Sequence, residues 1–371
     1  MFFLSSPINF YSELMKSNLL KNDELFMRRC LQLARCGAGS TSPNPMVGAV
    51  IVCDDRIIGE GYHIRAGEPH AEVNAVRSVK DCDKHLLPSS TMYVSLEPCS
   101  HYGKTPPCAD LIISCGIKRV VIGTTDFNSC VNGGGIARMR DAGIETVVGV
   151  LCEESYNCNE KFFTFHKENR PYIMLKWAET ADGYIDKWRA SSEVKAVKIS
   201  NPLSLVAVHR LRAQYDAILV GKNTALLDNP SLNVRYWAGR NPLRLVVDRK
   251  NVLPTSLRLF GDGGATVVYT ENKLEGRFGD NVQQVVLDFS IDIIPQILAH
   301  LFSMKIESLL VEGGAKMLES FINSSYWDSI RVERNMSLSL GQGVPAPSLP
   351  QGCVQEKNLF GNKIVLITPK K

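Results

Sequence analysis

His70-Ala71-Glu72, then Leu96-Glu97-Pro98-Cys99, then Thr105-Pro106-Pro107-Cys108 are the words of this sequence that constrain the first half of the chain most tightly. His70, Cys99 and Cys108 offer one imidazole and two thiolates, a donor set that suits Zn²⁺, and three protein ligands leave the fourth tetrahedral position for water. An open position points to chemistry. Two thiolates cancel the charge of the dication, which frees Glu72 to move protons. Residues two apart on a helix point about 200° apart, so His70 and Glu72 converge only at a helix end. Pro69 occupies a first-turn position before the apolar run Val73, Ala75, Val76 and Val79, and Pro106-Pro107 precede the run Cys108 to Ile113 in the same way. Two helix N-termini aimed at one metal favour thiolate and hydroxide there.

Working outward, a purely structural zinc would bring a fourth Cys or His at close spacing. His101 is the nearest candidate. It is read instead as substrate-facing, as is Lys104, because the segment Ser100 to Thr105 carries several donors beside the metal. H-x-E followed by P-C and a second cysteine is the signature of zinc deaminases, in which an activated water attacks a ring carbon and the Glu handles protons. This chain departs from it by placing eight residues instead of two between Cys99 and Cys108. The full string His70 to Cys108 resembles the bifunctional deaminase/reductase family of riboflavin biosynthesis. That resemblance implies a cytidine-deaminase-like α/β/α layered domain with one Zn²⁺ and Glu72 as its catalytic residue. It also implies that Asn44, set between Pro43 and Pro45, and His63 of Gly61-Tyr62-His63 face the pyrimidine.

The chain has 371 residues, which exceeds one ordinary core, and its 44 % apolar and 22 % charged content is that of a globular protein. A net charge of +4 is too mild and dispersed to argue for nucleic acid, although it suits phosphorylated substrates. Eleven irregularly spaced cysteines predict reduced thiols in the cytoplasm. Residues 1–22 lack a basic region before Pro7 and Asn9, which argues against a signal peptide, and no long uncharged apolar window predicts a membrane span.

In chain order, a first helix is expected from Asp23, with Leu25, Phe26, Cys30, Leu33 and Ala34 on one face and Gly37 as its stop. A hairpin over Met46 to His63 delivers His63 towards His70. Strands at Met92–Leu96, Arg119–Gly123 and Ile144–Val150 alternate with helical runs at Cys108–Cys115 and Gly135–Ala142. One helix over Glu153–Lys167 closes an α/β domain. The expected division is an extension over 1–22, a deaminase domain over 23–169 and a second domain over 170–371, joined at Glu168-Asn169-Arg170-Pro171.

The second half restarts with a strand at Tyr172–Lys176. A helix from Ser204 to Gln214 leads to a strand at Ala217–Val220 and a polar loop, Gly221 to Thr224. Strands follow at Leu243–Val247, Ala265–Tyr269 and Val285–Leu287, then a helix at Ile293–Phe302. Strand Ser308–Val311 runs into Glu312-Gly313-Gly314 and a helix. A strand, glycine pair and helix suit an anion, because backbone N–H groups point at it, but G-x-G-x-x-G is absent.

Lys176-Trp177-Ala178, His209 to Ala213, Gly221 to Arg235 and Val311 to Gly314 resemble, in order, landmarks of the same family's reductase domain, which is similar to dihydrofolate reductase. The resemblance implies NADPH contacts at Ala178, Thr224, Asp228, Gly314, Ala315 and Lys316. It implies that Arg212, Leu232, Arg235 and Glu312 face a ribosyl phosphate, and guanidinium groups do grip phosphate well. Lys198 stands where the family often has tryptophan, and Asp186 to Lys198 is long. The resemblance as a whole implies hydrolytic deamination of a diamino-ribosylaminopyrimidinone phosphate and NADPH-dependent reduction of its ribosyl group to ribityl. Its partners are small phosphorylated pyrimidines, with no nucleic acid and no membrane, in a homo-oligomer. The rivals are a deaminase of another pyrimidine or of nucleic-acid bases, and a second half without catalysis.

Overall fold

The computed structural model describes residues 7–102, 106–126 and 133–370, with residues 7–18 described by backbone alone. The chain divides into two compact units, Met1–Lys167 and Glu168–Lys371.

The first unit is built on five strands, β1 (Gly48–Cys53), β2 (Arg56–Tyr62), β3 (Thr91–Leu96), β4 (Arg119–Thr124) and β5 (Glu145–Val148), in the order β2-β1-β3-β4-β5. Asp54 and Asp55, both with left-handed backbone at φ 49° and 57°, turn the β1–β2 hairpin in two residues. β1 pairs antiparallel with β3, while β3, β4 and β5 run parallel. β1 is buried along its whole length, as a strand covered on both faces must be. Its cover comes from α1 (Pro7–Ala34), α2 (Ala71–Ser78), α3 (Cys108–Ser114), α4 (Gly134–Asp141), α5 (Cys152–Cys158) and α6 (Glu160–Glu168). Ala49, Ile51, Met92 and Val94 pack with Ala75, Ile112 and Met139 on one face. Val50, Tyr93 and Val121 pack with Phe26, Met27 and Cys30 of α1 on the other.

The helix expected to begin at Asp23 begins at Pro7, and Asp23 lies inside it, buried, accepting from Arg119 and from the Tyr93 hydroxyl. The single helix expected over Glu153–Lys167 is two helices. Asn159 breaks it, because its side chain accepts from the Met46 N–H (2.7 Å) and donates to the Met46 carbonyl (2.9 Å) instead of pointing to solvent.

In the second unit nine strands form one sheet. They are β6 (Tyr172–Thr180), β8 (Ala217–Gly221), β9 (Leu243–Val247), β10 (Thr266–Thr270), β11 (Val282–Val286), β12 (Ser308–Val311), β13 (Ser329–Asn335), β15 (Cys353–Leu359) and β16 (Asn362–Thr368). β7 (Tyr184–Asp186) and β14 (Val344–Pro345) pair separately. The order is β11-β10-β9-β8-β12-β6-β13-β16-β15, parallel through β13 and antiparallel beyond it. The helices are α7 (Pro202–Ala213), α8 (Lys222–Asp228), α9 (Arg258–Gly261), α10 (Ile293–Ser303) and α11 (Ala315–Asn323). Leu219 and Leu245 point to a core with Ile297 and Leu301 of α10 and Phe321 of α11. Their neighbours Ile218, Val220 and Val246 point to the opposite core with Leu253 and Phe260.

The loop expected at Gly221 to Thr224 is the junction into α8. Its helical turn is short enough to be mistaken for a polar loop. The strand expected at Val285–Leu287 runs instead over Val282–Val286, where Val282 pairs with Thr266. Strands β13, β15 and β16 were not anticipated. No helix among the described residues is long and apolar enough to cross a membrane, and the described cysteines are free thiols.

Candidate active sites

Pro69 and His70 end a loop, and His70 is the N-cap of α2, with extended backbone at φ −70°, ψ 167°. Glu72 therefore falls in the first turn. Cys99 follows the end of β3, and Cys108 is the first residue of α3 after a Pro107 cap. The His70 Nδ1 lies 3.6 Å from the Cys99 Sγ and 3.4 Å from the Cys108 Sγ. Tetrahedral zinc with ordinary Zn–N and Zn–S bonds would hold such atoms about 3.5 Å apart. All three donor atoms lie within 4.8 Å of one another, and no other such His/Cys/Asp/Glu group occurs among the described residues. The donor set fits the metal.

The charges are arranged for the same purpose. A hydrogen bond from the Cys108 thiol lowers the Cys99 pKa to about 4, and the same contact together with burial pushes Cys108 up. A dication there would favour the thiolate form of both sulfurs. His70 is raised first by its hydrogen bond to Cys99. Glu72, only 3 % exposed, is raised first by burial and then by the charge of Cys99. A carboxyl so placed can hold a proton.

Asn44 donates from its amide to the His63 Nε2 at 3.1 Å, and the His63 Nδ1–H donates to the Pro69 carbonyl at 3.1 Å. The network assigns this tautomer. Burial lowers the His63 pKa, which keeps the ring neutral. His63 was expected to face substrate. It is 2 % exposed, spends both nitrogens inside the protein and lies edge-on to His70 at 5.5 Å. Its observed contacts hold Asn44 and Pro69, the residue before His70. His101 is exposed on the loop after Cys99, and Lys104 lies outside the described residues.

One residue was missed. Glu97 is buried, and its carboxylate accepts from the backbone N–H groups of Asp126 (3.3 Å), Gly133 (3.1 Å), Gly135 (3.0 Å) and Ile136 (3.3 Å). It ties the strand end that carries Cys99 to the start of α4. The approach is so close that a Cβ on Gly135 would fall 1.9 Å from the Pro98 carbonyl oxygen.

In the second unit Gly313 and Gly314, at φ 138° and 68°, lie between β12 and α11 in backbone that favours glycine. A Cβ on either would sit within 3.2 Å of Thr224. Thr224 is thereby brought to the glycine turn, with Ala315 and the exposed Lys316 opening α11. Ala178 lies on β6 beside Glu333 of β13. Asp228, expected at the cofactor, is ion-paired with Arg189, which also holds Asp186 at 2.6 Å. Arg189 thus pins the long segment after β7, in which Lys198 is exposed and the neighbouring Ile199 is buried.

Arg212 grips Glu312 bidentately, at 3.1 and 2.6 Å, and donates to the Asn233 carbonyl at 3.3 Å. Burial opposes ionisation of Glu312, but the charges of Arg212 and Lys176 outweigh it and hold the carboxyl below its usual range. Arg235 is exposed, and its guanidinium donates to the Asn233 side chain at 2.6 Å. Leu232 is buried at φ 50°, a conformation costly for leucine. His209 lies behind this loop. Burial first, then the charges of Arg212 and Arg235, lower its pKa to about 4.

Residues 20–124 match the family model for the cytidine and deoxycytidylate deaminase zinc-binding region, and residues 171–359 match that for the RibD C-terminal domain. The chain is 41 % identical to the riboflavin biosynthesis protein RibD of Aquifex aeolicus, over 84 % of this chain and 86 % of that one. It is 35 % identical to the RibD of Escherichia coli, over 84 % and 86 %. Among solved structures it is similar to a diaminohydroxyphosphoribosylaminopyrimidine deaminase/5-amino-6-(5-phosphoribosylamino)uracil reductase from Thermotoga maritima. That likeness has a TM-score of 0.85 at 38 % identity and covers 95 % of this chain and 99 % of the other.

Proposed function

This chain belongs to the RibD family of bifunctional riboflavin-biosynthesis enzymes, and on that premise we propose which of its residues carry the deaminase and the reductase reactions. The observation that carries the proposal is the convergence of one imidazole nitrogen and two sulfurs beside the buried Glu72 carboxyl. His70, Cys99 and Cys108 would hold one zinc ion, whose Lewis acidity makes water a competent nucleophile near neutral pH. Glu72 takes the proton from the attacking water at a carboxylate oxygen and returns it to the exocyclic nitrogen, which leaves as ammonia. Asn44, held by His63, orients the pyrimidine, and His101 and Lys104 bind the same substrate. The substrate is the diamino-ribosylaminopyrimidinone phosphate and the product its deaminated uracil.

For the second reaction, Ala178, Thr224, Asp228 and the turn Gly314 to Lys316 would hold NADPH, which supplies the hydride that converts ribosyl to ribityl. Backbone N–H groups at the start of α11 suit its phosphates. Arg235, exposed and with guanidinium donors to spare, takes the phosphate of the substrate. Arg212 and Glu312 fix each other and present a rigid polar edge to the ribose, with Leu232 beside them. Free thiols and small phosphorylated substrates fit a cytoplasmic enzyme.

Chelation tests the assignment of the first site. Metal-depleted protein should release no ammonia from the diaminopyrimidine, one equivalent of zinc should restore release, and NADPH oxidation with the deaminated pyrimidine should be unaffected throughout. Full ammonia release from metal-free protein would contradict it.

A further inference from the structure

His209, in α7, is 2 % exposed and belongs to neither set of groups assigned above. Its Nδ1 accepts a hydrogen bond from the backbone N–H of Arg235 at 2.9 Å. Its ring stands edge-on to Tyr236, with centroids 4.8 Å apart. One helical turn further along, Arg212 donates to the carbonyl of Asn233. The stretch Asn233 to Tyr236 is therefore gripped from α7 at its carbonyl, its N–H and its aromatic ring. The Arg235 side chain itself is exposed, braced by the Asn233 side chain and lying 5.8 Å over Tyr236.

We propose that His209 is a positioning residue for substrate phosphate, fixing the backbone of Arg235 so that its guanidinium is presented in one orientation. This rests on the reading that Arg235 binds that phosphate. An ordered anion ligand outperforms a mobile one because less freedom is lost on binding. The role requires an imidazole that accepts at Nδ1, hence a ring without a proton there. Burial and the adjacent guanidinium groups keep it neutral. A histidine that merely filled space would serve as well with any group of its size, and that difference can be measured.

The test compares His209→Leu, His209→Gln and His209→Asn, alone and with Arg235→Ala, by NADPH oxidation with the deaminated pyrimidine phosphate. Asparagine can place its oxygen near the position of Nδ1, whereas glutamine reaches the position of Nε2 and leucine accepts nothing. The Leu and Gln variants should raise KM about tenfold, with kcat within about twofold and NADPH affinity unchanged, and the Asn variant should stay within about threefold of wild-type KM. In the Arg235→Ala background, His209→Leu should add no further increase in KM, because both changes remove the same interaction. Should the Leu variant fail to fold, the Asn and Gln variants decide the matter. Equal KM in all three variants, a loss confined to kcat, or additive losses with Arg235→Ala would overturn the role of His209 while Arg235 keeps its own. Unchanged KM in Arg235→Ala alone would remove the phosphate contact, and the inference with it.

Discussion

Among the described residues, four backbone N–H groups meet at the carboxylate of Glu97, two residues before Cys99. Replacing it with glutamine would turn an amide N–H₂ towards donors and leave at least one buried N–H unsatisfied. The cost is about 1–3 kcal/mol of local stability. Because the same carboxylate sets where β3 ends, Glu97→Gln should weaken zinc binding by about tenfold to a hundredfold. Competition for zinc against a calibrated chelator measures this, and unchanged affinity would show that Cys99 is positioned without Glu97. The convergence of His70, Cys99 and Cys108 was legible in the sequence, because residue type and spacing mark a set of metal donors directly. Glu97 was not, since its partners are backbone groups 29 to 39 positions away and leave no trace in residue identity. His63 marks the same boundary: its proximity to His70 was foreseeable, but the engagement of both its nitrogens was not.

Among the elements, the junction of β12 and α11 combines a backbone requirement with a packing one. Gly314, at φ 68°, faces the Thr224 hydroxyl, and a side chain there meets strain of about 1–2 kcal/mol before any clash. Gly314→Val should therefore raise the KM for NADPH at least about tenfold by moving the start of α11, while ammonia release stays at wild-type rate. Steady-state kinetics of both reactions checks this, and an unchanged KM would place the cofactor elsewhere. Parallel strands such as β8 and β12 could be located from the sequence because they are buried on both faces and form unbroken apolar runs. β15 could not: it is an edge strand, exposed over Cys353 to Asn358, and its polar residues carry no apolar alternation. α8 was missed because seven residues hold too few helical repeats to separate from a loop. Asn159 ended a helix through a contact with Met46, which periodicity cannot register.

At the level of the whole chain, each unit carries its own sheet and its own buried core on both faces of that sheet. Every proposed metal ligand lies before Glu168, and every proposed reductase residue lies after it. The proposed reactions run in series at two sites, with the deaminated pyrimidine as the product of one and the substrate of the other. Glu72→Gln separates them, because the amide preserves the shape of the first site and cannot carry its proton. The measurement is NADPH oxidation by this variant, followed by absorbance, with each pyrimidine in turn. Oxidation at the wild-type rate with the deaminated pyrimidine, and a rate at least about a hundredfold below wild type with the diamino substrate, is the predicted result. Wild-type oxidation with the diamino substrate, or none with the deaminated one, would contradict it.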